Sequence, residues 1–408
     1  MVATGALKRV FDPIHHFIEL TAGEARLLDS DIMQRLRRLR QLGLAYLAYP
    51  SAEHSRFSHA LGAFAMGTRV FDTLVVHSPE HFNSEGDVAY QRRLVRAALL
   101  LHDIGHGPFS HACEAVLGIR HEERTNALLE LPRMRALLAD LDVDLCDVLE
   151  LVVGGSHNRY PVLTEIVSGP NLDADRMDYL LRDAYFTGVT NGRYDSEQLL
   201  GSLRVFATPS GPVMGIDSRG VVALESFVLA RYMMFATVYF HHTTRMFERI
   251  LQDALRDLWT VPSALNDIDE FLQWDDFRVM NELRNVPTVP ARALRERLRI
   301  YALAAEFNAE NDLRAYEACE AALRKRWGGA VWADAQEQLM HRLPFQAGDR
   351  RPTVYVGNHG GLQDAADASD LIKKISGKAY WRKLFVERDK VDIAEAREIC
   401  SEITKNRG

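Results

Sequence analysis

The sequence predicts a mainly α fold that carries a short β-hairpin insertion and a C-terminal α/β lobe. Three observations point there. Apolar residues recur at helical spacing through most of residues 31–258. Residues 203–221 break that rhythm, with Val205, Ala207, Val213, Gly215 and Val221 punctuated by Pro209, Gly211 and Gly220, and read as a short strand pair. Beyond Pro287 and Pro290 the pattern mixes charged helical stretches with a strand-like T-V-Y-V at 353–356.

Taken in order, Asp29 or Ser30 caps a helix whose apolar positions include Ile32, Leu36, Leu39 and Leu42. Further helices are expected at 57–78, 91–104, 121–139, 144–153, 174–186 and 222–258. The last is long enough to serve both a core and an interface. The prolines near 287 mark a boundary between a domain at 1–286 and a lobe at 287–408. The lobe opens with a basic helix at 292–306 bearing Arg292, Arg295, Arg297 and Arg299, followed by an acidic helix at 307–326. Glu296 and the acidic helix favour a solvated or internally paired face over a nucleic-acid contact.

Composition narrows the class. With 47% apolar residues the chain can bury a sizeable core. A net charge of −7 argues against broad nucleic-acid coating, though not against a locally basic pocket. Cys113, Cys146, Cys319 and Cys400 are scattered, with no metal-ligand spacing, which reads as reduced thiols of a cytoplasmic protein. No run of about 18 apolar residues and no apolar signal core are found, so no membrane span is expected.

The chemistry concentrates in four residues: His59, the adjacent pair His102-Asp103, and Asp175. An apolar helix through Leu94, Val95, Ala98, Leu99 and Leu101 runs into L-L-H-D-I-G-H-G-P-F-S-H (100–111), where Gly105, Gly107 and Pro108 stop it. Polar side chains in so apolar a neighbourhood are costly unless paired or bound to a metal. Two imidazoles and two carboxylates suit Mn, Fe, Mg or Zn, and ligand type alone does not choose among them. Such a metal activates water and polarises a phosphoryl oxygen. His106, His111, Glu114 and His121 follow. His111 and Glu114 stand three apart, sharing a helix face, and a carboxylate behind an imidazole fixes its tautomer for proton transfer. Arg56 and Arg176 flank His59 and Asp175, where guanidinium forks could grip a polyphosphate.

The segments K-R-V-F-D-P-I-H-H-F-I-E-L (8–20), Q-R-L-R-R-L-R-Q-L-G (34–43), Y-P-S-A-E-H-S-R-F-S-H-A-L-G (49–62), 100–111, H-E-E-R-T (121–125) and L-D-A-D-R-M-D-Y-L-L-R-D (172–183) carry a resemblance. A weaker one, R-Y-M-M-F-A-T-V-Y-F-H (231–241), closes the series. Together the chain resembles the HD-domain deoxynucleoside triphosphate triphosphohydrolases, most closely their SAM-and-HD-domain branch in its prokaryotic type. The resemblance spans roughly residues 8–260 and implies an HD-type helical core, with residues 1–286 as the phosphohydrolase domain. It implies the same four metal positions, with Mn or Mg favoured for activity. It places Arg56, Arg176 and Arg231 on the phosphates, and Gln41, Leu42, Tyr179, Asp183, Tyr239 and His241 around the sugar. Asp183 and Gln41 would meet the 3′-hydroxyl, and Tyr239 would fill the space of a 2′-hydroxyl. His121 becomes a phosphate contact. Lys8, Asp29, Gln34 and Arg37 match residues that hold an activating nucleotide in regulated members; the alternative is that Gln34 and Arg37 pair along a structural helix. The resemblance also implies a homo-oligomer, dimer or tetramer. Four departures are visible: Glu114 stands where an Asp is usual, Arg176 replaces a lysine, Phe240 replaces a glutamine-like residue, and Arg9 and Phe11 match the activator segment poorly. The expected reaction is hydrolysis of a deoxynucleoside triphosphate to deoxynucleoside and inorganic triphosphate. The rivals are a phosphohydrolase of nucleoside monophosphates or other nucleotides, and a nucleotide-sensing or nucleic-acid-binding protein with a secondary hydrolytic site.

Overall fold

The computed structural model describes residues 8–82, 85–154, 159–170, 172–259, 267–341, 354–358, 361–375 and 377–405. It opens on a hairpin that the helical reading passed over, Lys8–Asp12 antiparallel to His16–Leu20. Its turn is built by Asp12, whose carboxylate accepts from the backbone N–H groups of Ile14 and His15, each at 2.9 Å. The Asp12-Pro13 dipeptide is the local signal for that turn.

A helix at Ala22–Leu28 follows, capped by Thr21, and of the two predicted caps Ser30 is the one used by the helix after it, accepting from the Met33 N–H. That helix is shorter than expected, Asp31–Arg35 plus a 3-10 turn at Leu36–Arg38, so Gln41 and Leu42 fall in a loop. The core of the domain is made by Arg56–His77, Glu85–Leu101 and Ala174–Thr187, with Ser55 and Asp173 capping the first and last. Their apolar faces merge in one cluster that includes Phe64, Phe71, Leu94, Leu99 and Met177. The Arg56–His77 and Ala174–Thr187 helices meet closely at Gly62. A Cβ there would lie 2.0 Å from Asp178 Oδ1 and 2.1 Å from Arg182 Nη2. Gly62→Ala is therefore expected to destabilise by at least about 2 kcal/mol, as overpacking against a buried ion pair does. Denaturant unfolding checks this; a variant as stable as the parent would contradict the close approach.

Three expected helices are interrupted. The stretch 121–139 divides at Pro132 into His121–Leu129 and Pro132–Asp140, because a proline opens a helix more readily than it continues one. The stretch 222–258 becomes Val221–Met234, a π-helical turn at Phe235–Tyr239, and His242–Leu258 capped by His241. The stretch 292–306 is a helix only over Val289–Glu296. Arg297 then turns left-handed (φ 53) and Tyr301–Phe307 is a strand, so the acidic helix starts later, at Leu313–Trp327. By length and composition Ser218–Tyr239 could cross a membrane. Here Tyr194 meets Phe227 edge-on at 5.0 Å and Trp381 meets Tyr232 at 5.9 Å, so this helix packs against the protein itself.

The predicted hairpin is present as Leu203–Thr208 and Gly211–Asp217. Strand Tyr355–Asn358, overlapping the T-V-Y-V segment, adds to it in parallel, and Gly361–Asp364 completes a four-stranded sheet. The C-terminal lobe holds a three-stranded sheet in the order Tyr301–Phe307, Gly377–Glu387, Val331–His341. Helices Leu313–Trp327 and Ile393–Lys405 pack on it. The fold is mainly α with these small sheets. Among the described residues no disulfide joins any of the four cysteines.

Candidate active site

Four of the sequence-predicted residues meet at the crossing of three helices. His59 comes from Arg56–His77, His102 from just past the end of Glu85–Leu101, and Asp175 from the first turn of Ala174–Thr187. His59 Nε2 lies 2.9 Å from Asp175 Oδ1 and 3.2 Å from His102 Nε2. One donor atom from each of the three falls within 4.8 Å of the others. Asp103 stands beside them, 3.6 Å from His102 Nε2 and 4.0 Å from His59 Nε2.

The tautomers can be deduced. His102 Nδ1–H donates to the Leu99 carbonyl at 2.8 Å, and His59 Nδ1–H donates to the Asp178 carboxylate at 2.8 Å. With both Nδ1 atoms so committed, the two Nε2 atoms turn into the same small space beside the Asp175 carboxylate, where a proton or a metal cation relieves their crowding. Burial, the largest influence on His59, lowers its pKa, yet hydrogen bonds to Asp175 and Asp178 outweigh it and raise it to about 10. Burial works against Asp175 too, but His102 and His59 hold its carboxyl well below the usual range. This donor set therefore fits a divalent metal.

A second group adjoins it. His106 Nε2 lies 3.3 Å from Asp103 Oδ1, and His106 stacks on His121 with ring centroids 4.0 Å apart. His121 Nδ1 reaches Glu114 Oε1 at 3.0 Å. Glu114 thus serves His121, a partner that its helical spacing from His111 does not reveal; the side chain of His111 lies outside the described residues. Burial and the nearby Arg56 push the His106 pKa down to about 3, so this ring is neutral. Arg56 is itself buried, paired with Asp103, and donates from Nε and Nη2 to Ser110 Oγ at 3.0 and 2.7 Å. Phe109 and Ser110 both hold left-handed backbone (φ 52 and 51), a strained turn for residues with side chains. The buried Asp276 steadies it by accepting the Phe109 N–H at 2.8 Å.

A cavity of about 490 Å³ opens beside the group. Gln41, Leu42, Arg56, Tyr179, Asp183 and Tyr239 line it, six of the nine residues expected around a substrate. Asp183 is held from two sides, by His54 Nε2 at 2.8 Å and by the Tyr239 hydroxyl at 2.7 Å. The Gln41 amide oxygen is buried and has no partner among the described residues. The other three lie off the lining. Arg176 donates to the Gly169 carbonyl at 2.5 Å and pairs with Asp173. Arg231 is buried beside Tyr179 and Arg176. His241 caps the following helix, its Nδ1 accepting the Thr243 N–H at 3.2 Å, because the π-turn ends just before it.

The four activator candidates form two pairs of their own. Lys8 Nζ meets Asp29 at 3.0 Å, Arg37 Nε donates to Gln34 Oε1 at 2.8 Å, and Gln34 Nε2 donates to the Leu28 carbonyl at 2.9 Å. Arg37 also stacks 3.6 Å over Phe57.

Residues 195–307 match the family described as the HD associated region. A solved hypothetical protein from Aquifex aeolicus superposes with a TM-score of 0.80 at 30% identity, over 96% of this chain and 99% of its own. The chain belongs to the HD-domain, dNTPase-like family. A solved phosphohydrolase from Bacteroides thetaiotaomicron gives a TM-score of 0.74 at 26% identity, over 94% and 100% of the two chains. Human deoxynucleoside triphosphate triphosphohydrolase SAMHD1 is 28% identical over 61% of this chain and 44% of its own length. The chain spans about half the length of the curated relatives it matches.

Within this HD-domain protein, sequence reasoning missed the supports behind the metal-type residues. Asp178 is fully buried and receives His59, His15 Nε2 at 2.6 Å, and Arg182 twice at 2.9 Å. Arg182 continues to Asp12 at 2.8 Å, so the N-terminal hairpin is tied to the HD centre. The signal was present: Asp175, Asp178 and Arg182 stand at spacings of three and four, one face of a helix.

Proposed function

We propose that this HD-domain protein hydrolyses deoxynucleoside triphosphates to deoxynucleoside and inorganic triphosphate. The observation that carries the reading is the single cavity that joins Arg56, bound to Asp103 at the metal-type group, to the braced Asp183–Tyr239 pair. His59, His102 and Asp175, with Asp103 adjoining, would hold a divalent metal, Mn or Mg by family resemblance; when bound it polarises a phosphoryl oxygen and lowers the pKa of water. Arg56, supported by Arg231 and Arg176 behind Tyr179, supplies positive charge for the phosphates. Asp183 accepts the proton of the 3′-hydroxyl, and Gln41 stands on the same wall to contact that hydroxyl. Water attacks the α-phosphorus, and His121, oriented by Glu114, moves the proton to the leaving side. The homo-oligomer and nucleotide activator expected from the resemblance belong to the same proposal. Chromatography of products from a nucleotide panel with Mn²⁺ and Mg²⁺ tests it: triphosphate appears as an initial product, and deoxynucleoside diphosphate plus phosphate instead would reject the reaction.

Sugar selectivity follows from the same wall. Tyr239 lies against the sugar-binding residues with its hydroxyl committed to Asp183, leaving no partner for a 2′-hydroxyl. An unpaired polar group costs about 1–3 kcal/mol, so ribonucleotides should react roughly ten- to a hundredfold more slowly. Tyr239→Ala should narrow that gap, whereas Tyr239→Phe should keep it and lower turnover through Asp183. Equal specificity constants for dGTP and GTP on the unaltered protein would remove this gate.

A further inference from the structure

A second set of side chains lines the cavity and takes no part in the chemistry above. Thr244 and Glu248 come from helix His242–Leu258, and Gln336 comes from strand Val331–His341 of the C-terminal lobe. Thr244 is 3% exposed, and its hydroxyl has no hydrogen-bond partner among the described residues. A buried hydroxyl left unpaired costs the folded protein stability, which a ligand can restore. Around it the donors are turned away. Arg245 Nε and Nη2 donate to Asp334 at 2.9 and 2.8 Å, and Nη1 pairs with Glu248. Gln336 Nε2 donates to Asp334 Oδ1 at 2.8 Å. The polar groups that line this end are a carboxylate, an amide whose Nε2 is committed to Asp334, and a hydroxyl able to donate or accept.

Among the four bases, only guanine sets two neighbouring N–H donors, N1–H and the 2-amino group, beside an acceptor, O6. We infer that Glu248, Gln336 and Thr244 form the base subsite and that it selects guanine. Glu248 and Gln336 accept from the two donors, and Thr244 donates to O6. The C-terminal lobe thereby acquires a role in specificity. This rests on the deoxynucleotide reading.

The test measures kcat/KM for dGTP, dATP, dCTP and dTTP, with melting temperatures, on the unaltered protein and on Thr244→Val, Glu248→Gln and Gln336→Leu. The unaltered protein should prefer dGTP to dTTP by about tenfold or more, as a site built to pair a polar edge discriminates. Thr244→Val removes an unpaired hydroxyl at nearly constant volume, so it should melt no lower than the parent. It should nevertheless lose about fivefold or more with dGTP, the equivalent of one hydrogen bond, and almost nothing with dTTP. Glu248→Gln and Gln336→Leu should show the same bias towards guanine in their losses. Losses equal on all four bases, or a parent that prefers another base, overturn the inference and leave the deoxynucleotide reading standing. A parent that hydrolyses no deoxynucleotide overturns both.

Discussion

His102→Ala is expected to remove bound metal and nearly all hydrolysis while the fold persists. The ring sits at the rim of its helix and makes one neutral hydrogen bond, to the Leu99 carbonyl, so its loss orphans little. Its Nε2 faces His59 Nε2 and Asp175, and without it the donor group falls to two side chains plus Asp103. Metal analysis and circular dichroism on the same sample decide the matter. Unchanged metal stoichiometry in a folded variant would sink the assignment of this centre. Asp103→Ala is expected to differ, because it strips the buried Arg56 guanidinium of its carboxylate. Leaving one member of a buried pair alone costs about 3–5 kcal/mol, so this variant should lose stability as well as metal.

Asp178→Ala should cost as much stability as Asp103→Ala, about 3–5 kcal/mol, by leaving the fully buried Arg182 with Asp12 alone. A second effect should be separable from the first. Asp178 fixes the His59 tautomer from behind, and removing such a support weakens metal binding about 10- to 100-fold. Burial opposes ionisation of Asp178, but Arg182, His15 and His59 hold its carboxyl well below the usual range, so it is a charge in every neutral-pH experiment. Asp178→Asn keeps the shape and part of the hydrogen bonding. It should therefore fold better than Asp178→Ala and still bind metal more weakly than the parent. Parental metal affinity in a folded Asp178→Asn would show that the carboxylate serves the fold alone.

What the residues disclosed follows a physical line. Helices with strong periodicity and a clear cap, such as Arg56–His77, Leu145–Val152 and Ala174–Thr187, were legible to within a few positions. The metal-type residues were legible because polar groups interrupt apolar helices there. The N-terminal hairpin was not, because its outer faces carry Phe11 and Phe17, 64% and 67% exposed, against the usual alternation. The π-turn at Phe235–Tyr239 was hidden because one inserted residue leaves an apolar run looking like continuous helix. The partner of Glu114 was hidden because a helix break after Leu117 brings His121 back over it, a contact that spacing along one helix cannot express. Strand Tyr301–Phe307 read as helix because alanines fit both periods.

The order in which the lobe's strands are made has its own consequence. The chain lays down Tyr301–Phe307 and Val331–His341, leaves to add Tyr355–Asn358 and Gly361–Asp364 to the sheet of the hairpin, and only then returns with Gly377–Glu387. That last strand lies between the first two and pairs with both. Until it arrives, the two outer strands have no neighbour to hold them in register, and the wall that carries Gln336 has no sheet to belong to. The pairings that complete this wall are thus non-local, joining Tyr301 to Glu387 and Val331 to Val386, which makes them slow to form. A nascent chain released before residue 377 would hold every residue of the metal-type group and still lack a finished pocket.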